Sequence, residues 1–214
     1  VCAVSFEQVE QACQEVLDKN ARIISLKPKV LGDIWDDVQN VANQLSVNEK
    51  GREFHEEKES RIKAIQTRLR DATAPKVLTI EWIDPIYIGG MWLPEMITIV
   101  GGQVCIAKSG QPAPVVNRED LEKIKPDVVV IKPCGYKLEQ TLKELELLKK
   151  QLPDWEKSPR IYLVDGNSYF NRPGPRILDS LEILAYCTYP DLYLDFGECY
   201  KKGLIELRSD LQFK

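Results

Sequence analysis

The sequence predicts an α/β protein: a parallel-sheet C-terminal lobe joined by a long rigid helix to a partial N-terminal α/β lobe. Three observations carry this. Residues 77–187 alternate short apolar runs with amphipathic stretches. Residues 47–72 read as one helical stretch dense in Glu, Lys and Arg. Ahead of that stretch, two amphipathic helices flank a single strand candidate.

The elements follow in order. Ser5-Phe6-Glu7-Gln8 matches the capping-box pattern that opens a helix. Phe6, Val9, Cys13, Val16 and Leu17 keep helical spacing to about residue 18. Arg22–Leu26 is a short strand candidate, broken by Pro28. Leu31, Ile34, Trp35, Val38, Val41, Ala42 and Leu45 form the apolar face of a second helix. The stretch from Val47 to Ala72 carries few apolar residues, Phe54, Ile62, Ile65 and Leu69, and Pro75 ends it. At full helical rise it spans roughly 40 Å. A helix polar on most sides suits a bridge between two bodies. A lone strand between helices cannot pair its backbone. The first body is therefore expected to be incomplete, with sheet partners upstream of Val1 or on another chain. The organisation expected is a partial lobe at 1–46, a connecting helix at 47–74 and a second lobe from 75.

Strands are expected at Val77–Glu81, Val128–Ile131 and Ile161–Val164. Helices are expected at about 92–100, 118–124, 137–152 and 175–187. In the third of these, Leu138, Leu142, Leu145, Leu148 and Leu152 share one stripe. Strands separated by helices imply parallel pairing with right-handed crossovers. The tail, 191–214, mixes aromatic and charged residues without a clear period.

Composition excludes several classes. The chain has 214 residues, 43% hydrophobic and 29% charged, with net charge −4. That is enough for a sizeable core. No apolar run approaches a membrane span, and no basic segment followed by an apolar one opens the chain, so no signal peptide is expected within it. Lys and Arg are scattered, which disfavours nucleic acid or an anionic membrane as partner. None of the six cysteines forms a C-x-x-C pair. Cys13 and Cys187 fall on apolar helical positions and read as small buried hydrophobes. A metal site is not expected, because His55 is the one histidine and lies on the charged helix. Nucleophile-elbow, P-loop and dinucleotide-binding patterns are absent. Glu81, Asp84 and Asp165 stand near one another's loops and are expected to cap helices or balance Arg172 and Arg176, rather than act as an acid–base pair. Neither enzymatic activity nor a cofactor is expected.

The unusual residues gather in three loops, 82–92, 132–136 and 165–176, each following an expected parallel strand. Parallel strands place their carboxyl ends on one edge, where open α/β sheets bind ligands. Trp82, Tyr87, Trp92, Tyr136, Tyr169 and Phe170 offer broad apolar faces with few rotors. Asn167, Asn171 and Arg172 can hydrogen-bond amides or carboxylates. Pro175 suits the first position of the last helix. A stiff, aromatic cradle limits the ordering cost of binding. Plainer roles stand beside this one. Tyr87 and Tyr136 are the first candidates for ordinary anchors, Asn167 and Asn171 for Asx turns, and Gly101-Gly102 for a helix C-cap.

The same loops carry a family resemblance. Ile80-Glu81-Trp82-Ile83-Asp84-Pro85, Trp92-Leu93-Pro94-Glu95 and Gly101-Gly102 resemble the start of the C-terminal lobe in cobalamin/iron-siderophore-type solute-binding proteins of ABC importers. Pro126-Asp127-Val128-Val129-Val130 with Pro133-Cys134-Gly135-Tyr136, and the run from Asp165 to Arg176, are similar to the same family. Val1-Cys2-Ala3-Val4-Ser5 resembles the end of a strand in its first lobe. The resemblance implies a Rossmann-like C-terminal lobe at 75–193, with an extension at 194–214, and ligand held between two lobes on a rigid helix. It implies cobalamin or a related corrinoid as ligand, with iron-siderophore or haem as near relatives. Trp82 and Trp92 would stack on the ligand, and Asn167, Tyr169, Phe170, Asn171 and Arg172 would contact it. Glu95 would dock on basic residues of an ABC permease, in an extracytoplasmic setting. An intracellular binding or interaction protein derived from this family is the alternative. A homodimer through the incomplete lobe is a further expectation.

Overall fold

The computed structural model describes residues 6–17, 23–69 and 73–207. Ser5 of the expected capping box, Arg22 of the expected first strand, residues 70–72 of the long helix and 208–214 of the tail lie outside them.

The first body is helical. α1 (Phe6–Val16) leaves Val16 81% and Leu17 49% exposed. Residues 23–28 have no ladder partner among the described residues, so the expected strand does not form there. α2 (Leu31–Gln44) buries Leu31, Ile34 and Ala42. It packs against α3 (Asn48–Arg68), with Trp35 and Phe54 ring centroids 5.9 Å apart. Cys13 is half-buried, short of the core position expected of it.

The second body is a seven-stranded, mostly parallel sheet covered on both faces. β1 (Lys76–Trp82) pairs in parallel with β5 (Val128–Ile131), and β5 with β6 (Arg160–Val164). All three strands are largely apolar, with Thr79 and Glu81 of β1 the polar interior positions, as suits strands covered on both faces. One layer joins Val77, Val128, Val130, Tyr162 and Val164 to α3, to α4 (Leu93–Ile99) and to α8 (Ile177–Thr188). The other joins Leu78, Ile80, Val129, Ile131 and Leu163 to α5 (Arg118–Glu122), α6 (Leu138–Lys143) and α7 (Leu145–Gln151). Leu148 is fully buried there, which stabilises by roughly 2–3 kcal/mol.

Several elements differ from expectation. The loop after β1 turns back through residues 83–85 as β2 (Ile86–Ile88), antiparallel to β1. The register shifts between Ile80 and Trp82, which face Ile88 and Tyr87, so Glu81 is the extra residue of a β-bulge. β3 (Gln103–Val104) pairs with the start of β1, and β4 (Val115–Val116) with β2. The expected helix 137–152 breaks at Glu144, whose N–H bonds the Thr141 carbonyl three residues back and tightens the turn. α8 starts at Ile177, with the carbonyls of Gly174 and Pro175 taking its first bonds, so Pro175 precedes the helix. Gly101, at φ +77°, caps α4 as expected.

The tail is part of the sheet. After a 3₁₀ turn at Pro190–Leu192, α9 (Leu194–Tyr200) leads to β7 (Leu204–Leu207), antiparallel to β6. Aromatic residues of this segment hold the long helix. Tyr193 donates to the Ile65 carbonyl at 2.7 Å. Arg68 lies over the Tyr193 and Phe196 rings, 5.2 and 4.9 Å from their centroids. Arg61 bonds Asp179 and Glu182, each at 2.7 Å. α3 is thus fastened along one side to α8 and α9.

Candidate functional site

β1, β5 and β6 run in register side by side, so the loops after them open on one edge of the sheet. The β1–β5 ladder continues into the loops. The Lys132 N–H donates to the Ile80 carbonyl at 2.8 Å, and the Cys134 N–H to the Glu81 carbonyl at 2.9 Å.

Lys132 sits at the centre of this edge, 0% exposed. Its Nζ donates to Asn171 Oδ1 at 2.8 Å and to Glu81 Oε2 at 3.2 Å. The Phe170 ring centroid is 5.9 Å away. Burial pushes the Lys132 ammonium pKa down, against the opposing pull of Glu81. Sequence reasoning placed Lys132 in the second loop but gave it no role. Its one signal was a lysine directly after the apolar run Val128–Ile131, where the chain is still inside the protein.

Asn171 turns inward. Its Nδ2 donates to the carbonyls of Lys132 at 3.1 Å and Gly166 at 2.9 Å. The third loop lies so close to the second that a Cβ at Gly166 would meet the Pro133 carbonyl oxygen at 2.0 Å. Phe170 is 1% exposed and belongs to the core, not to the surface of the edge. Its backbone is left-handed, φ +65°, held by Phe170 N–H donating to Ser180 Oγ at 2.9 Å. Trp92 is half-buried, and its indole N–H donates to the Phe170 carbonyl at 2.9 Å. Tyr169 packs edge-on to Tyr200 of α9, centroids 5.9 Å apart. Asn171 and Trp92 therefore tie the loops together, while Phe170 and Tyr169 anchor the third loop to the core and to α9.

Trp82, Tyr136, Asn167 and Arg172 make a further part of the edge. Trp82 packs edge-on to Tyr136, centroids 5.3 Å apart. Together with Asp84, Pro133, Glu144 and Leu147 they line a hollow of about 120 Å³. Arg172 is exposed and donates twice to Asn167, to its backbone oxygen and to Oδ1, both at 2.7 Å. The Asn167 N–H in turn donates to the Tyr136 carbonyl at 2.9 Å. The Asx turn of this loop belongs to Asp165, whose Oδ1 accepts from the N–H groups of Asn167 and Ser168. Glu81 pairs with Lys132 rather than with Arg172 or Arg176.

Glu95, in the first turn of α4, is engaged within the chain. Its Oε2 accepts from the Leu31 N–H at 2.8 Å and its Oε1 from Ser109 Oγ at 2.5 Å. It thereby joins the start of α2 to the second body. His55, on α3, lies between Phe54 and Lys58, outside the three loops.

Known structures share this fold at low identity. An ABC transporter substrate-binding protein from Listeria monocytogenes EGD-e superposes with a TM-score of 0.70 at 14% identity, over 86% of this chain and 73% of that one. A periplasmic heme-binding protein from Pseudomonas aeruginosa gives 0.67 at 17% identity, over 88% and 69%. A periplasmic vitamin B12-binding protein of Vibrio cholerae gives 0.56 at 18% identity, over 92% and 71%. No curated protein matches the chain in sequence. The sequence model of one family matches residues 4–161, well over half of the 214. The chain belongs to the periplasmic binding protein family.

Proposed function

We propose that this chain is the ligand-holding component of an ABC importer and that it receives a large flat macrocycle, cobalamin or a related corrinoid, on the carboxyl edge of its sheet. The observation that carries this is the lacing of three strand-end loops into one preformed surface through Lys132, Asn171 and Asn167. A preformed surface spends little of its binding energy on ordering loops. Trp82 and Tyr136 supply apolar rings there, and Asn167 and Arg172 supply polar groups. The chain acts by binding rather than turnover, in an extracytoplasmic setting. Haem or an iron-siderophore is the neighbouring choice of ligand, since one structure with this fold binds heme and another vitamin B12.

The engagement of both Glu95 oxygens within the chain favours a second reading. A carboxylate already spent on α2 is a poor handle for a permease. An intracellular binding or interaction protein of the same family needs no such handle. A second copy of the chain is also a proposed partner, through the exposed apolar side chains of α1 and of Leu45.

Equilibrium dialysis against hydroxocobalamin, and separately hemin, tests the main reading. Saturable retention near one equivalent, lost in Trp82→Ala, supports it. Retention unaffected by Trp82→Ala moves the ligand elsewhere, and no retention of either compound removes the macrocycle reading.

A further inference from the structure

Glu81 is the one charged side chain that the β1 bulge sets beside the laced loops. Its carbonyl is fixed by the Cys134 N–H, and one carboxylate oxygen, Oε2, is fixed by the buried Lys132 ammonium. Lys132 is 0% exposed at its side chain, whereas Glu81 is 26% exposed. The pair is therefore layered: cation inside, carboxylate outside. Glu81 is the penultimate residue of β1, and the sheet faces behind it are covered by helices. It stands at the carboxyl end of β1, where the loops begin. Bulges commonly re-aim a side chain at such positions. A carboxylate has room for about four hydrogen bonds, and Lys132 is the partner found for this one among the described residues.

We propose that Glu81 is a ligand-contacting acceptor that selects flat ligands whose rim carries N–H donors over those whose rim carries carboxylates. This rests on the macrocycle reading above. A corrin ring is rimmed with amides, which donate. Haem carries propionates, which a fixed carboxylate repels. Arg172 acts in the opposite sense, but it stands exposed, where water and salt screen it. Glu81 is more enclosed, and charge interactions strengthen as water is excluded. Discrimination by placed repulsion is a common device of specific sites.

The test compares dicyanocobinamide, which is rimmed with amides, and hemin in equilibrium dialysis. The proteins are wild type, Glu81→Gln and Glu81→Ala, both of which keep Lys132 and its bond to Asn171. The wild type should favour cobinamide. Both variants should shift the ratio of affinities toward hemin by about tenfold, and Arg172→Ala should shift it the other way. Agreement between the glutamine and alanine variants, with urea midpoints near that of the wild type, separates the lost carboxylate from a disturbed fold. A ratio unchanged within about twofold in both Glu81 variants overturns this assignment and leaves the macrocycle reading standing. A wild type that retains neither compound overturns both.

Discussion

Asn171 and Lys132 hold each other at both ends. Lys132 Nζ donates to Asn171 Oδ1 at 2.8 Å, and Asn171 Nδ2 donates back to the Lys132 carbonyl at 3.1 Å. One side chain thus satisfies a buried ammonium and a strand-end carbonyl together. The loop after β6 is thereby fixed to the loop after β5.

Asn171→Ala is expected to cost about 2–4 kcal/mol, because it leaves a buried charge short of an acceptor. Urea unfolding followed by circular dichroism measures it. A loss under about 0.5 kcal/mol would show that the pair is replaceable by water.

Gly166→Ala is expected to be severe. The new Cβ meets backbone oxygen of Pro133 at 2.0 Å and of Lys132 at 2.7 Å, and backbone yields little. A cost of about 3 kcal/mol or more is expected. Gly174→Ala, in the same loop, meets nothing within 4 Å and should change stability by about 0.5 kcal/mol or less. Equal effects of the two would contradict the close approach of the loops.

Arg61→Ala should detach the long helix from α8. It removes the guanidinium that bonds Glu182, 12% exposed, and Asp179, 27% exposed, at 2.7 Å each, and leaves the Tyr200 hydroxyl as their shared donor among the described residues. A loss of about 2 kcal/mol is expected for a half-buried pair of this kind. Arg61→Lys should recover less than half, since a single ammonium nitrogen does not reproduce the planar guanidinium, which reaches Glu182 and Asp179 through separate nitrogens. Full recovery by lysine would reduce the contact to simple charge.

Tyr193 gives a pH signature. Burial pushes its hydroxyl up to about 12, while an unfolded tyrosine titrates near about 10. The folded chain keeps the proton longer than the unfolded chain does. This contribution is whole below about pH 10 and is lost as pH rises through about 12. Tyr193→Phe should lose about 1 kcal/mol at neutral pH, from the bond to Ile65, and should show a shallower alkaline decline. Urea midpoints at several alkaline pH values measure both, and parallel declines in the two proteins would refute the assignment.

Much of the architecture was legible in the residues. The apolar runs of β1, β5 and β6 are long enough and flanked clearly enough to mark strands covered on both faces, and the leucine stripe of α6 and α7 marks their cover. The parallel order then followed from the alternation alone, and with it the edge on which the loops open. β2, β3 and β4 are two or three residues long, below the length at which a period can be seen. β7 carries only Leu204-Ile205-Glu206-Leu207, and its pairing with β6 comes from the fold rather than from the tail's own pattern. The expected strand at 22–26 has apolar residues but no neighbour to pair with among the described ones, which is why pattern alone misled there.

At the candidate site the residue types were legible and their directions were not. The sequence by itself determined that aromatic and amide residues crowd the ends of three parallel strands, because those residues stand at fixed offsets from apolar runs that must lie side by side. Only the tertiary structure decided which of them face outward. Phe170 and Asn171 turn inward, Trp82 and Arg172 stay at the rim, and Glu95 is taken up by α2. The reason is that a loop residue has no period to aim it. Its direction is set by what it meets across the chain, and here a buried lysine from a neighbouring strand needed an acceptor more than the surface did.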